Sequence, residues 1–410
     1  MHPSAPRMPE IEPALLATPF RIFVADDVLD DLRARLARTR FAAASDSTYW
    51  AAGTDPGYLR ELVAYWANGF DWRAAEARLN AYPQFTAEVA GRQVHFVHLR
   101  GNGARGAPAS LPLVLTHGWP SSFVEMLRVA PLLADPASHG ADPADAFDVV
   151  IPSLPGFLYS QLPPGPFTRR GTARTWHALM TRSLGYPRFG AFGGDIGGGV
   201  TQWLGALYPG EVAGVHITSA VTTANFADQP PTGEEEAYLK ARAAYDAGDQ
   251  GYSEIMCTRP DTIAAALADS PAGLAAWIVD KYRDWSDCGG AVAARWEKDT
   301  ILTVVTLYWA TATIGSSFRQ YYNYELNDPV PRITVPAAVT LSSEPAYAGY
   351  PRSFIERLCT DLRHWNAPGR GGHFMAHEEP EQVAAELRTF FRPLRQPSAG
   401  ESGDRSASGR

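Results

Sequence analysis

Apolar residues recur along this chain at two different spacings. Val28, Leu29, Leu32 and Leu36 fall at helical intervals and predict a helix opening at residues 24–27. Leu59, Leu62, Val63 and Trp66 share one face of a second helix, over about 56–70, and 72–79 predict a third. Such stripes cannot bury themselves, so residues 1–88 are expected to form a helical extension lying on a larger body. From residue 91 the pattern changes. Residues 91–98 predict a hairpin turn and strand, 111–116 an apolar strand, and Ser122-x-x-Glu125 a capping box that starts a helix. A strand at 147–151, a helix at 172–184, a strand at 188–192, a helix at 200–208 and a strand at 215–217 follow. Alternating strand and helix periods imply a mostly parallel sheet covered on both faces. Residues 223–328 carry helical spacing only, at 237–246, 262–268, 274–285 and 300–316. The strand pattern returns at 333–341, and a closing helix is predicted over 379–391.

The stretch Gly193-Gly194-Asp195-Ile196-Gly197-Gly198 joins the strand at 188–192 to the helix after it. Strand, Gly-x-nucleophile-x-Gly, helix is the nucleophile elbow of the α/β-hydrolase fold. A serine at the apex would suit acyl transfer, but the apex here is Asp195. A carboxylate needs no base to become a nucleophile at neutral pH. It can attack an electrophilic sp³ carbon and form an alkyl ester on the enzyme. That suits opening of an epoxide or displacement of halide, and argues against ordinary ester hydrolysis. The helical insertion after the elbow then becomes a cap over the active-site face. The expected organisation is an N-terminal segment 1–88, core 89–222, cap 223–328, core 329–395 and a Ser/Gly/charged tail 396–410 expected to be disordered.

Composition narrows the class without changing it. The 410 residues are 45% hydrophobic and 20% charged, as in a soluble globular protein. A net charge of −8 gives no support for nucleic-acid binding. Cys257, Cys288 and Cys359 are too widely spaced for a disulfide framework or a zinc site, and free thiols in a cytoplasmic, reducing compartment are expected. Residues 1–13 lack the apolar core of a secretory signal, and no window reaches the ~18 apolar residues of a membrane span.

In this fold the catalytic groups run nucleophile, acid, histidine in chain order. Asp195, Glu344 and His373 satisfy that order. Glu344 follows the strand at 333–341, with Glu325, Asp328 and Glu356 as rivals before the strand or well beyond it. His373 would serve as general base and Glu344 would hold its tautomer. His117-Gly118-Trp119-Pro120 occupies the oxyanion-loop position, so the amides of Trp119 and Ile196 are expected to face the Asp195 carboxylate.

With these motifs the chain resembles the α/β-hydrolase epoxide hydrolases of the microsomal and juvenile-hormone type, including their soluble bacterial and fungal relatives. Tyr65-Trp66, Phe70-Asp71-Trp72-Arg73, Glu76, Leu79-Asn80 and Phe96-Val97-His98 carry the N-terminal part of the likeness. His117-Gly118-Trp119-Pro120, Gly194-Asp195-Ile196-Gly197 and Arg370-Gly371-Gly372-His373-Phe374 carry the core. Arg259-Pro260-Asp261-Thr262, Asp269-Ser270-Pro271 and Leu307-Tyr308-Trp309 carry the cap.

The resemblance implies hydrolysis of an epoxide to a vicinal diol with no metal or organic cofactor. It implies a small-molecule epoxide and water as reactants, and a role in detoxification or secondary metabolism. It also implies two oxirane-binding tyrosines, Tyr252 and Tyr321, with Tyr322 and Tyr324 as rivals of the latter. Long cap segments and many aromatic residues suggest a bulky apolar or aromatic epoxide. No membrane anchor is expected, and homo-oligomerisation is left open. Leu158 stands where relatives often carry Gly, which would alter the pocket wall. A carbon–halogen hydrolase with the same nucleophile is the alternative, since the Trp119 indole could help cradle a halide.

Overall fold

The structure is a computed structural model that describes residues 17–43, 49–103, 110–219 and 230–395. The expectations for residues 1–13 and 396–410 lie outside the described residues. Nine strands form one sheet: β1 (Thr18–Phe20), β2 (Gln84–Val89), β3 (Arg92–Leu99), β4 (Leu111–Thr116), β5 (Phe147–Pro152), β6 (Phe189–Gly193), β7 (Val212–Ile217), β8 (Ala337–Thr340) and β9 (Leu362–Asn366). Their order is β1-β2-β3-β5-β4-β6-β7-β8-β9. Pairing is antiparallel from β1 to β5 and parallel from β5 to β9. Every residue of β4, β6, β7 and β8 is buried, as parallel strands covered on both faces require.

The N-terminal helices Asp26–Ala37, Pro56–Asn68 and Trp72–Leu79 form where the apolar spacing places them. Asp55 and Asp71 cap the second and third by accepting from the amides of Tyr58 and Ala74. Leu29, Leu32, Leu36, Leu62, Val63 and Trp66 are buried. The segment is not wholly helical, however. It supplies β1 and β2, and β2 pairs along its whole length with β3, so a boundary at residue 88 cuts a hairpin. The segment also braces the later helix Lys298–Thr311: Trp66 Nε1 donates to Thr306 Oγ1 at 3.0 Å and the Tyr65 hydroxyl to Asp299 Oδ1 at 2.7 Å.

Between β7 and β8 the described residues contain helices and no named strand, with the longer ones at Gly233–Asp249, Gly251–Thr258, Pro260–Asp269, Pro271–Trp285 and Lys298–Thr311. The helix expected over 300–316 stops at Ala312, whose φ of 53° is left-handed, and resumes as Ile314–Ser317 and Arg319–Tyr322. The expected capping box at Ser122 is absent. Ser122 Oγ accepts from Val124 and the chain makes a short 3₁₀ turn, Phe123–Leu127, which turns Glu125 inward. The elbow helix begins earlier than its apolar spacing suggests, at Asp195 itself, and runs to Leu207.

That early start depends on close backbone approach. A methyl group at Gly197 would overlap the carbonyl of Thr116 on β4, which cannot yield as a flexible side chain can. Gly197→Ala is therefore expected to cost at least the ~1–3 kcal/mol typical of overpacking. Gly248→Ala, which meets open space near the end of a helix, should instead stabilise by about 0.5–1 kcal/mol. Chemical denaturation of the two variants checks both signs; equal stabilities would contradict the packing at the elbow.

Candidate active site

Strand β6 ends at Gly193 and the chain turns so sharply that Asp195 adopts φ 51°, a left-handed conformation that costs a non-glycine residue roughly 1–3 kcal/mol. The turn is held by the Asp195 amide, which donates to Ser219 Oγ at 2.9 Å beyond β7. It sets the Asp195 carboxylate at the positive end of the elbow helix. The loop after β4 reaches the same point, and the Trp119 amide donates to Asp195 Oδ1 at 2.8 Å. The Ile196 amide lies in the first helical turn beside it. His117 supports this loop as a neutral ring: its Nε2 accepts from Leu154 N at 3.1 Å, and Nδ1 lies 2.9 Å from the Gly118 carbonyl. Burial pushes its pKa down to about 4.

His373 and Glu344 arrive from loops that follow β9 and β8. His373 Nε2 lies 3.8 Å from Asp195 Oδ2, and Nδ1 lies 2.7 Å from Glu344 Oε2. The two loops are tied by the Ser343 amide, which donates to the Gly371 carbonyl at 2.7 Å. Burial alone would lower the His373 pKa, but the charges of Glu344, Asp195 and Glu125 outweigh it and raise the pKa to about 9. The rival acids point elsewhere: Glu356 pairs with Arg352, Asp328 pairs with Arg170, and Glu325 is exposed.

Tyr252 projects from the helix Gly251–Thr258 and Tyr321 from the turn Arg319–Tyr322. Both converge on Trp119. Tyr252 stacks on the indole at 5.6 Å between centroids, Tyr321 meets it edge-on at 5.6 Å, and the two phenol rings are 5.9 Å apart. Burial, then nearby negative charge that includes Asp195, pushes the Tyr252 phenol well above its usual range. Burial, then Tyr252 and Asp195, does the same to Tyr321. Both phenols therefore stay protonated and can donate. Tyr322 and Tyr324 are about half exposed, at 53% and 50%, and face away.

Two features were not visible from spacing. Glu125 is buried beside this group, and burial, opposed by His373 and by a Ser121 hydrogen bond, raises its carboxyl pKa to about 7. Leu158 adopts φ 49°, a left-handed conformation that glycine takes more readily than leucine, and its amide donates to Thr313 Oγ1 at 3.2 Å.

Resemblance to known proteins runs along nearly the whole chain. Residues 17–126 match the family model "Epoxide hydrolase N terminus" and residues 112–253 the model "alpha/beta hydrolase fold". A Stigmatella aurantiaca (strain DW4/3-1) protein provisionally named an epoxide hydrolase is 39% identical, over 92% of this chain and 85% of its own length. Epoxide hydrolase 1 of Sus scrofa is 32% identical, over 92% of this chain and 89% of its own. The crystal structure of juvenile hormone epoxide hydrolase from the silkworm Bombyx mori superposes with a TM-score of 0.82 at 27% identity, covering 93% of this chain and 95% of that one.

The charges around His373 make a prediction about its titration. A group with a raised folded-state pKa adds stability that is complete below its unfolded value, about 6.5, and that is lost as pH rises through the folded value, about 9. In an NMR titration the His373 ring should hold its proton through neutral pH, and Glu344→Gln should move its midpoint down. A ring that titrates at or below its ordinary value in the parent protein would contradict the charge arrangement.

Proposed function

The chain belongs to the epoxide hydrolases of the α/β-hydrolase fold and hydrolyses an epoxide, and we propose that it does so through an ester on Asp195. Tyr252 and Tyr321 hold the epoxide oxygen. Asp195 Oδ2, the oxygen not engaged by the Trp119 amide, attacks a ring carbon. The ring C–O bond breaks and a tyrosine supplies the proton to the leaving oxygen. Once the ester forms, the imidazolium proton passes through solvent to the tyrosinate; neutral His373 then takes a proton from water, and the resulting hydroxide attacks the Asp195 carboxyl carbon. Charge collects on Oδ1, against the amides of Trp119 and Ile196. The bond from the carboxyl carbon to Oδ2 breaks, the diol leaves with Oδ2 and the proton carried by His373, and the proton left on the Asp195 carboxyl group passes to His373, restoring the resting carboxylate and imidazolium.

A single observation carries this proposal: one carboxylate has Trp119 N at 2.8 Å on one oxygen and His373 Nε2 at 3.8 Å from the other, beneath two protonated phenols. The charge state supports the order of events. Alkylation removes the Asp195 charge, one of those that raise the His373 pKa, so forming the ester prepares the ring to act as a base. A bulky apolar or aromatic epoxide is favoured by the rings around Asp195, with Trp285 at 6.3 Å and Phe318 at 6.1 Å from Trp119. Halide displacement is less well served. The Trp119 indole N–H is buried without a partner, but that of the adjacent Trp285 is committed to Asp249 at 2.9 Å, so these two indoles are not both free to cradle halide. The free thiols of Cys257, Cys288 and Cys359 fit a reducing, cytoplasmic setting.

The two half-reactions can be separated by substitution. His373→Gln, incubated with the fastest substrate from a panel of aryl, aliphatic and polycyclic epoxides, should gain one substrate mass by intact mass spectrometry and keep it. In that background Tyr252→Phe or Tyr321→Phe should slow mass gain by up to roughly 10²–10⁴-fold, while Tyr322→Phe should not change it. An unmodified His373→Gln protein would sink the covalent route.

A further inference from the structure

Glu378 lies five positions beyond His373 and takes no part in the chemistry above. Its side chain is buried at the seam between the histidine loop and the cap helix Pro271–Trp285. Glu378 Oε2 accepts from Gly372 N at 3.1 Å and from Asp287 N at 2.8 Å. Oε1 accepts from Phe374 N at 3.1 Å. One carboxylate thus holds the amides on both sides of His373 and one just beyond the cap helix. The seam is tight from the other direction too. The His373 amide donates to the Trp285 carbonyl at 2.8 Å, the Trp285 ring lies 4.9 Å from the imidazole, and a methyl at Gly372 would overlap the backbone of residues 285–287. Asp287 adds a further tie, its Oδ2 accepting from Gly371 N at 3.1 Å.

We propose that Glu378 is a positioning residue that fixes the His373 ring between Glu344 and Asp195 and registers the cap against the histidine loop. The proposal rests on the division of labour between Asp195 and His373. A carboxylate suits this place because it offers only acceptors to three N–H donors. Burial pushes its carboxyl pKa up, and the amides of Asp287, Gly372 and Phe374 pull it back. Glutamine would turn an N–H₂ group toward one of those donors and leave it unpaired. Because Asp195 attacks without a base, loosening the ring should harm ester hydrolysis and spare ester formation.

The test is single-turnover kinetics of the full-length protein with the panel's fastest epoxide, following ester by quenched mass spectrometry. Glu378→Gln should form ester at the parent rate and hydrolyse it about 10²-fold more slowly, the cost of a misplacement near 1 Å. Ester should accumulate as in His373→Gln, and the NMR titration of His373 should move down from about 9 as the ring leaves Glu344. Glu378→Asp keeps the charge but is one methylene too short, and should behave like Gln. Asp287→Asn, at an exposed position, should give the same signature more weakly and covers the case in which Glu378→Gln does not fold. Equal slowing of both half-reactions, an unmoved His373 titration, or a parent-like Glu378→Asp would overturn the proposal. Ester in His373→Gln but none in Glu378→Gln would reject it alone; no ester in either would reject the covalent route beneath it.

Discussion

A carboxylate set among aromatic rings is stable only if its oxygens meet donors and its charge meets a cation. That demand organises the face of the sheet around Asp195. One oxygen meets the Trp119 amide, and the other faces His373, whose proton is held in place by Glu344. The strained backbone at Asp195 is tolerated because Ser219, the β4 loop and the close-packed glycine turn leave it no other conformation. On the proposed route, the same forces that hold the resting carboxylate become catalytic when its charge changes. An amide that stabilises Oδ1 at rest stabilises it more when it becomes an oxyanion.

The cap and core are not independent layers over this carboxylate. Trp119 belongs to the core, yet its ring is covered by Tyr252 and Tyr321 of the cap. Trp285 comes from the cap, yet its carbonyl holds the His373 amide. Lys281, buried and paired with Asp249 at 2.6 Å, lies 4.9 Å from the centre of the Tyr252 ring, and Asp249 also accepts a hydrogen bond from the Trp285 indole N–H. Tyr252, Tyr321 and His373, the groups proposed as acids and base, are thus positioned by one connected set of contacts. The N-terminal segment extends that set through Trp66 and Thr306.

Much of this was legible in the sequence, for identifiable reasons. The elbow is bounded by glycines that close packing requires, and the helices Asp26–Ala37 and Pro56–Asn68 each bury one apolar stripe against a larger body. Strand β2 was missed because Gln84, Thr86 and Glu88 dilute its apolar signal and its pairing is settled by β1 and β3. Ser122 and Glu125 have capping-box spacing, but tertiary packing draws Glu125 inward and leaves a 3₁₀ turn. The break at Ala312 carries no glycine or proline to announce it, yet it is what turns Tyr321 toward Trp119 and leaves Tyr322 in solvent. Glu378 looks like an ordinary acidic residue before a helix, because its amide partners come from the turn of the histidine loop, at Gly372 and Phe374, and from Asp287, 91 positions away in sequence.

Transfer of an oxygen atom from Asp195 to the product is the central chemical claim. A single turnover in ¹⁸O-labelled water, with enzyme in excess over epoxide, measures it directly. The diol should emerge without solvent label, and the label should appear in Asp195 on peptide mass spectrometry. Solvent label in the first-turnover diol, with none in Asp195, would mean that water attacks the epoxide directly and that the carboxylate is not the nucleophile.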